Sequence, residues 1–286
     1  MHLKTSIKAI EYYLPPFVEV GSDLVADNPE WRIKDIESKT GILQRHISTT
    51  ETSVDMGFFA AKKILKKYDN ADDIDLLIFV TQSPLYVLPT SACILQDKLG
   101  LKTTCMAFDV NLGCSGFVYA LAMCSSLIEA GVASQGLIVC SDTYTKYIEA
   151  NDRTCRPIFS DGAAATLVVS DVFGSIGPFD LGTDGSGFDK LIVKSATKSN
   201  NLINNKLHMN GSAVFMFTMN MVPKSINKLL IKEGIMLSDV DAFIFHQASK
   251  LVLDNLIRRL ELPKNKVFVN YHKVGNTVSA SIPIAL

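Results

Sequence analysis

Short apolar runs that end in polar residues alternate with longer amphipathic segments along the chain. Asp73 to Ser83, "DIDLLIFVTQS", and Asp239 to Ser249, "DVDAFIFHQAS", share a D-[IV]-D start, an apolar run rich in Ile and Phe, and a polar end. Such runs are typical of buried parallel strands that lead into loops. The segments that follow them, "TSACILQDKLGL" and "LVLDNLIRRLEL", have helical patterns. The chain therefore contains an internal repeat that begins with a strand and a helix.

The repeat predicts a duplicated α/β protein whose parallel sheets are covered by helices on both faces. The second strands would be "TTCMAFDV" and "KVFVNY", and the predicted halves are residues 1–171 and 172–286. Two further strand patterns, "GLIVCSD" and "AAATLVVSD", follow in the first half, whereas the second half stops at "SIPIAL". We therefore expect the second half to lack its last two strands, because the chain is truncated or its tail is missing.

Three chemically active side chains fall at predicted strand ends. Cys114 lies in "LGCSGF", Asn276 occupies the corresponding turn of the second repeat, and His246 ends the run "DAFIF". Ligands of α/β proteins bind beyond the carboxyl ends of the strands. Cys114 is expected to begin a helix, which would lower the pKa of its thiol. Glycines on either side, at 113 and 116, would leave room for a substrate.

Composition excludes several other classes of function. The 286 residues are 48% apolar and carry a net charge of −1, without a basic patch for nucleic acid or anionic lipid. No apolar run reaches the length of a membrane span, and no signal peptide is recognisable, which favours a cytoplasmic protein. The six cysteines show no CxxC pair, so neither a disulfide framework nor a metal site is predicted.

A cysteine nucleophile, a histidine acid or base, and an asparagine amide donor occur in that order in two enzyme classes. Papain-like proteases place the histidine about 130–150 residues after the cysteine, a spacing that this chain also permits. Their C-G-[SA]-C-[WY] signature near a mature amino terminus is absent, and the doubled α/β pattern does not fit them.

The second class fits almost the whole chain. "DVNLGCSGFVYAL", "IFHQAS" and "GNTVSASIPIAL" resemble the three active-site motifs of β-ketoacyl-acyl-carrier-protein synthase III, a condensing enzyme of the thiolase superfamily. "KTGILQRHI", "LPTSACILQDKLGL", "NDRTCRPIFSDGAAATLV" and "MNGSAVF" also match, in the family's order. The resemblance implies a thiolase-like, duplicated five-layer α/β/α/β/α fold, without the C-terminal strands of its second half.

The resemblance also implies a mechanism. Cys114 would accept an acyl group from acyl-CoA or another acyl thioester, and His246 and Asn276 would stabilise the enolate formed when malonyl-acyl carrier protein loses carbon dioxide. The expected partners are acyl carrier protein, the acyl thioester and a second copy of the chain, without a further cofactor. The family's Gly-Phe-Gly loop, which supplies one oxyanion donor, is not found in these 286 residues.

Other matched positions are expected to contact substrate. Leu88 aligns with a residue that closes the partner's acyl pocket, Arg153 with an arginine beside the CoA adenine, and Lys39 with a family arginine. Ser249 and Ser212 stand where the family has asparagines, and the adenine-stacking tryptophan position is Asp35. These departures predict a changed donor or carrier preference.

Two other functions remain as alternatives to condensation. The protein could be an acyltransferase of the same family that passes the acyl group to an oxygen or nitrogen nucleophile, or a non-catalytic carrier-binding or scaffold protein.

Overall fold

The computed structural model describes residues 4–68, 71–194 and 205–286. Within these ranges the chain forms nine strands and nine α-helices, joined by loops and short 3-10 turns. The strands are β1 (Thr5–Tyr13), β2 (Val18–Val20), β3 (Gln44–His46), β4 (Leu76–Val80), β5 (Met106–Val110), β6 (Gln135–Asp142), β7 (Gly162–Ser170), β8 (Leu191–Val193) and β9 (Leu207–Met209). The helices are α1 (Gly21–Asp27), α2 (Ile33–Thr40), α3 (Ser53–Tyr68), α4 (Ser91–Leu99), α5 (Gly116–Glu129), α6 (Gly211–Glu233), α7 (Lys250–Arg259), α8 (Tyr271–Val274) and α9 (Ser281–Ala285).

The first half builds a five-stranded sheet in the order β1-β7-β6-β4-β5. β4 pairs in parallel with β5 and β6, as predicted, but β7 runs antiparallel to both β6 and β1. The prediction of an all-parallel sheet is therefore wrong. Parallel neighbours need a long crossover, usually a helix, whereas residues 143–161 between β6 and β7 contain only a short 3-10 helix.

Alternate residues of β4 point to opposite faces of the sheet, and both faces are buried. Leu77 and Phe79 pack in a cluster with apolar residues of α3 and α4. Ile78 and Val80 pack on the other face with apolar residues of α5. Burial on both faces explains why the β4 sequence is continuously apolar. The carboxyl ends of β4, β5 and β6 open at one edge of this sheet.

The second repeat does not form the sheet that its sequence pattern predicts. Among the described residues, the predicted strands around Phe243 and Val267 meet in one isolated parallel bridge. The Phe243 N–H donates to the Lys266 carbonyl at 2.8 Å, and little of the ladder continues. β4 has hydrogen-bonded partners on both sides, whereas the Phe243 segment has a partner on one side. With half the ladder, the segment stays irregular despite its strand-like composition.

The two predicted halves share part of one core. Ala280 packs in the cluster formed by α5 and the sheet, and Ile282 and Ile284 of α9 pack against the same cluster. Residues 275–281, which we call the hub segment, therefore run between the second half and the carboxyl edge of the first-half sheet. The predicted division at residues 171 and 172 stays a prediction.

Candidate active site

The cysteine loop, residues 111–115, connects β5 to α5 at the carboxyl edge of the sheet. A Cβ atom at Gly113 would lie 2.6 Å from Gln82 Oε1, and one at Gly116 would overlap Val80 Cγ1. At Gly116 a side chain would collide with a fixed neighbour, whereas at Gly113 the flexible end of the Gln82 side chain would have to move. The groups that approach both positions belong to the neighbouring β4 and its loop. Close approach of a substrate to these two glycines stays a prediction.

Cys114 lies just before α5, which begins at Gly116 with Ser115 as its N-cap. The residue keeps part of its surface accessible, yet burial of the thiol, followed by the charge of Asp142, raises its pKa to about 12. The predicted lowering of this pKa by the helix is wrong. The free thiol is protonated at neutral pH, so a proton must leave Cys114 as it attacks.

Asn276 is 4% exposed and is held by its backbone and its side chain. Its N–H donates to the Ile158 carbonyl at 3.0 Å, and its carbonyl accepts from Ser160 N at 2.9 Å. Its side-chain Oδ1 accepts from Val278 N at 2.9 Å. Because the acceptor end of the amide is engaged by this N–H, the Nδ2 group is the end that can donate to a ligand.

A buried arginine supports residues 159 and 160, which hold Asn276 in place. Arg45 Nη1 donates to the Phe159 carbonyl at 3.0 Å, and the guanidinium forms an ion pair with Glu19. Burial lowers the pKa of Arg45 to about 9. His46 N donates to Ser160 Oγ at 2.7 Å from the same strand. The "RH" of the "KTGILQRHI" motif thus positions Asn276 through residues 159 and 160.

Val278 has a φ of 54°, in the left-handed region that β-branched residues avoid. Its side chain is buried with Tyr144 and Phe159, and its N–H bonds to Asn276. Packing and the hydrogen bond together hold this residue in an unfavourable backbone conformation, which fixes the turn after Asn276.

His246 is fixed by the far end of the hub segment. Its Nδ1 lies 2.7 Å from Ser281 Oγ, which also accepts from Gln247 N at 2.9 Å. A hydroxyl that donates to Nδ1 leaves the proton of the neutral ring on Nε2. Burial lowers the pKa of His246 to about 4, so the ring is neutral at physiological pH. Nε2 is buried and has no partner among the described residues.

The hub segment brings the three predicted catalytic residues together. From the Cβ position of Gly113, Val278 Cγ1 is 3.5 Å away, and from that of Gly116, Ser279 Cβ is 3.7 Å away. The cysteine loop therefore packs on residues that lie between Asn276 and Ser281, the partner of His246. Of the predicted site, Asn276 lies in the hub segment, His246 binds its last residue, and the loop that carries Cys114 packs against it.

Sequence reasoning missed Asp142, which ends β6 and is 0% exposed. Its carboxylate accepts hydrogen bonds from Gln82 N at 2.8 Å and from Ser279 Oγ at 2.6 Å. Burial raises the pKa of Asp142 to about 6 despite these bonds. A polar "SD" directly after a buried run, at the same sheet edge as Cys114, was the available signal.

The five predicted substrate-contacting residues are spread over several elements. Lys39 is exposed on α2, Arg153 and Ser212 are exposed on a loop and in the first turn of α6, and Leu88 is 79% exposed before α4. Ser249 is buried, and its hydroxyl accepts from Val252 N at 3.4 Å as the N-cap of α7. Contact of any of these residues with substrate stays a prediction.

Trp31 packs in a small core cluster with Leu24 and Ile36. Its side chain is therefore engaged within the protein and does not replace the family's adenine-stacking tryptophan, whose position is Asp35. Among the described residues, no group of three or more His, Cys, Asp or Glu could hold a metal ion. In the same part of the chain, no helix combines the length and apolar character needed to cross a bilayer.

A thiol at the carboxyl edge of an α/β sheet packs beside a segment that carries an asparagine amide and binds a neutral histidine, an arrangement typical of acyl-transfer enzymes with a thiolase-like fold. Sequence profiles described as 3-oxoacyl-[acyl-carrier-protein] synthase III and its C-terminal domain match residues 108–185 and 230–286. The β-ketoacyl-[acyl-carrier-protein] synthase III of Clostridium perfringens is 38% identical over 92% of this chain and 82% of its own. That of Clostridium novyi is 35% identical over 96% of this chain and 86% of its own. The chain belongs to the β-ketoacyl-[acyl-carrier-protein] synthase III family.

Solved structures agree with this assignment. A crystal structure of a 3-oxoacyl-(acyl-carrier-protein) synthase III superposes with a TM-score of 0.93 at 38% identity, covering 99% of this chain and 90% of that one. The enzyme from Pseudomonas aeruginosa superposes with a TM-score of 0.91 at 33% identity, covering 99% and 87%. The expected family and thiolase-like fold are confirmed.

Proposed function

We propose that this condensing enzyme works through an acyl-Cys114 intermediate and uses His246 and Asn276 as a pair of neutral hydrogen-bond donors. The observation that supports this most directly is which polar atoms of the two side chains already have hydrogen-bond partners in the protein. Asn276 Oδ1 and His246 Nδ1 are engaged within the chain, which leaves Nδ2 and Nε2 for a substrate oxygen. Two neutral donors stabilise an enolate oxygen without protonating the carbon that must attack.

In the first half-reaction, Cys114 sulphur attacks the carbonyl carbon of an acyl thioester such as acyl-CoA. A new C–S bond forms, the original C–S bond breaks, and the thiol proton passes to the departing thiolate. Because burial and Asp142 raise the pKa of Cys114, this proton is lost as the sulphur attacks rather than beforehand. Neutral His246 can accept it through Nε2 only if the ring proton is on Nδ1 at that moment.

In the second half-reaction, the thioester carbonyl of malonyl-acyl carrier protein accepts hydrogen bonds from His246 and Asn276. The bond to the carboxylate breaks, carbon dioxide leaves, and the electron pair remains as an enolate. The enolate carbon attacks the acyl-Cys114 carbonyl, a C–C bond forms, and the C–S bond to Cys114 breaks. The departing Cys114 thiolate then takes a proton from solvent. The product is a β-ketoacyl thioester.

The test separates the two half-reactions. The protein is incubated with a panel of acyl-CoA and acyl-carrier-protein donors, with and without malonyl-acyl carrier protein, and intact mass, carbon dioxide and products are measured. Cys114→Ala should lose the acyl adduct, whereas the control Cys93→Ala, at an exposed cysteine, should retain it. Absence of an adduct with every donor would contradict the proposed covalent mechanism.

Asn276→Asp tests the donor role, because it keeps the shape of the side chain and replaces the donor by an anion. We expect the acyl adduct to form while condensation falls by about 100-fold or more, which is typical of losing an oxyanion donor.

The alternative is acyl transfer to an oxygen or nitrogen nucleophile. It would be supported if the wild-type protein acylated an added alcohol or amine without releasing carbon dioxide. The family assignment does not favour that alternative.

A homodimer is the second part of the proposal. β5 is the outer strand of the five-stranded sheet, so one of its edges is open for pairing. The loop that precedes α4 exposes Val87 at 99% and Leu88 at 79%. An open strand edge beside an exposed apolar loop supports self-association at this end of the sheet. Sedimentation velocity of the wild-type protein measures its oligomeric state, and a monomer at micromolar concentration would contradict the proposal.

A further inference from the structure

Asp142 joins two parts of the site that belong to opposite ends of the chain. Its Oδ1 accepts from Gln82 N at 2.8 Å and from the hydroxyl of Ser83 at 3.3 Å, both in the loop after β4. Its Oδ2 accepts from Ser279 Oγ at 2.6 Å, in the hub segment. The residues joined through this carboxylate are almost 200 positions apart in the sequence.

Each partner of Asp142 is next to a catalytic group. The side chain of Gln82 packs against Gly113, beside Cys114, with its Oε1 only 2.6 Å from where a Cβ atom would lie. Ser279 lies between Asn276 and Ser281 in the hub segment, and Ser281 orients His246. Asp142 is therefore one hydrogen bond from Gln82, which packs beside the nucleophile, and one hydrogen bond from the hub segment, which carries Asn276 and binds His246.

The charge of Asp142 does not help the thiol. It contributes to the raised pKa of Cys114, as it does to the raised pKa values of Tyr144 and Tyr147. A fully buried carboxylate also costs free energy unless its oxygens are well bonded. What this carboxylate supplies to the site is therefore its pattern of hydrogen bonds rather than its charge.

We propose that Asp142 is a positioning residue that sets the separation between Cys114 and the His246–Asn276 pair by holding the Gln82 loop and Ser279 on its two oxygens. This rests on the proposed function, because the separation matters only if an acyl group on Cys114 must meet an enolate held by the pair. Misplacement of reacting groups by about 1 Å can reduce a rate by about 100-fold.

The first test removes the hydrogen bond between Ser279 and Asp142 and keeps the carboxylate. Ser279→Ala should lower the kcat for condensation by about 10-fold, with little change in the KM for the acyl donor. The matched control is Ser141→Ala, which removes a buried serine on the same strand as Asp142, whose hydroxyl donates to the Ser53 carbonyl at 2.7 Å. The control should keep its kcat within about twofold of wild type.

The second test separates hydrogen bonding from charge at residue 142. Asp142→Asn can accept from Gln82 N and donate to Ser279 Oγ, so it should keep more of the kcat than Asp142→Ala. Without the anion, alkylation of Cys114 by iodoacetamide should move to lower pH in Asp142→Asn. Asp161→Asn, at another buried carboxylate, should leave that alkylation profile unchanged, since its bonds go to residues 48 and 145.

A double-mutant cycle completes the test. If Ser279 acts through Asp142, Asp142→Ala with Ser279→Ala should be no slower than Asp142→Ala alone. Equal kcat values for Ser279→Ala and Ser141→Ala, or for Asp142→Asn and Asp142→Ala, would overturn the proposal. If Asp142→Ala fails to fold, the comparison of Ser279→Ala with Ser141→Ala still tests the proposal. Alkylation needs no substrate, and wild-type condensation is measured in parallel, so failure of the proposed function is recognised separately.

Discussion

The runs Asp73–Ser83 and Asp239–Ser249 have similar patterns but different structures. The first becomes β4, a central strand with hydrogen-bonded partners on both sides and apolar clusters on both faces. The second makes one isolated bridge and keeps Phe245 half-buried. The difference shows that an apolar run becomes a strand through its neighbours, and that its own composition is not sufficient.

The less regular region carries two of the three predicted catalytic residues. His246 and Asn276 are held by single bonds to Ser281, Ile158 and Ser160 rather than by a ladder. Their placement depends on the packing of the hub segment against the first-half sheet. The first-half sheet thus supports the hub segment, through which the second half contributes to the predicted site.

The largest expected effect compares equivalent phenylalanines of the two runs. Phe79→Ala should lower the free energy of unfolding by about 3–5 kcal/mol, because it empties a fully buried site beneath α3. Phe245→Ala should cost about 1 kcal/mol, since Phe245 is only half-buried. Urea denaturation of both variants measures the difference. Equal losses would mean that the second run is as well packed as the first.

The next effect concerns the pH dependence of stability. The pKa of His246 is about 4 when folded, below its ordinary value of 6.5, so its contribution to stability is complete above pH 6.5 and is lost as pH falls toward 4. The stability gap between wild type and His246→Gln should therefore change by about 3 kcal/mol across this window, in favour of the variant at low pH.

Asp142 should have the opposite effect on how stability depends on pH. Its pKa is raised to about 6, so its burial destabilises the fold increasingly as pH rises from about 4 to 6. Relative to wild type, Asp142→Asn should gain stability with rising pH in this window. Thermal denaturation at pH 4, 5, 6 and 7 checks both variants. Parallel curves for all three proteins would contradict burial of both groups.

A smaller effect is expected at the start of α7. Ser249→Ala should cost about 1 kcal/mol, because the N-cap bond to Val252 is lost, whereas Ser249→Asn should be close to neutral. The asparagine variant also tests the predicted donor preference. If Ser249 weakens binding of CoA donors, Ser249→Asn should lower their KM. An unchanged KM would show that residue 249 serves the helix alone.

The smallest effect on stability is expected at Leu88. Leu88→Asp should change the free energy of unfolding of the monomer by less than about 0.5 kcal/mol, because the side chain is 79% exposed. The same change should weaken self-association in sedimentation experiments. Phe173→Asp, at an exposed apolar residue after β7, is the matched control. Equal dissociation by both variants would argue against an interface at Leu88.

The sequence was most informative where chemistry coincides with a strand end. Cys114, His246 and Asn276 were recognisable because each follows an apolar run and two stand at equivalent turns of a repeat. Several first-half elements were recognisable from their strand-like or helical patterns of apolar residues, namely β4, α4, β5, α5, β6 and β7. The antiparallel direction of β7 was not, since an apolar run carries no sign of its direction.

The supporting residues could not be predicted from pattern alone. The bond between Asp142 and Ser279 joins positions 137 residues apart. Serines in "TVSASIP" have ordinary turn composition, and nothing in their spacing shows that Ser281 would orient a histidine. The raised pKa of Cys114 was mispredicted because it depends on the buried carboxylate of a strand that the cysteine motif does not include.

Val278 places a constraint on how this protein can evolve. Its φ of 54° favours glycine, yet its side chain fills space between Tyr144 and Phe159. A mutation to glycine would ease the backbone and leave a void, and a change to a larger residue would keep the unfavourable backbone and crowd the aromatic rings. Both of these single changes carry a cost. A library that varies residue 278 together with residues 144 and 159 therefore offers more routes to a replacement than one that varies residue 278 alone.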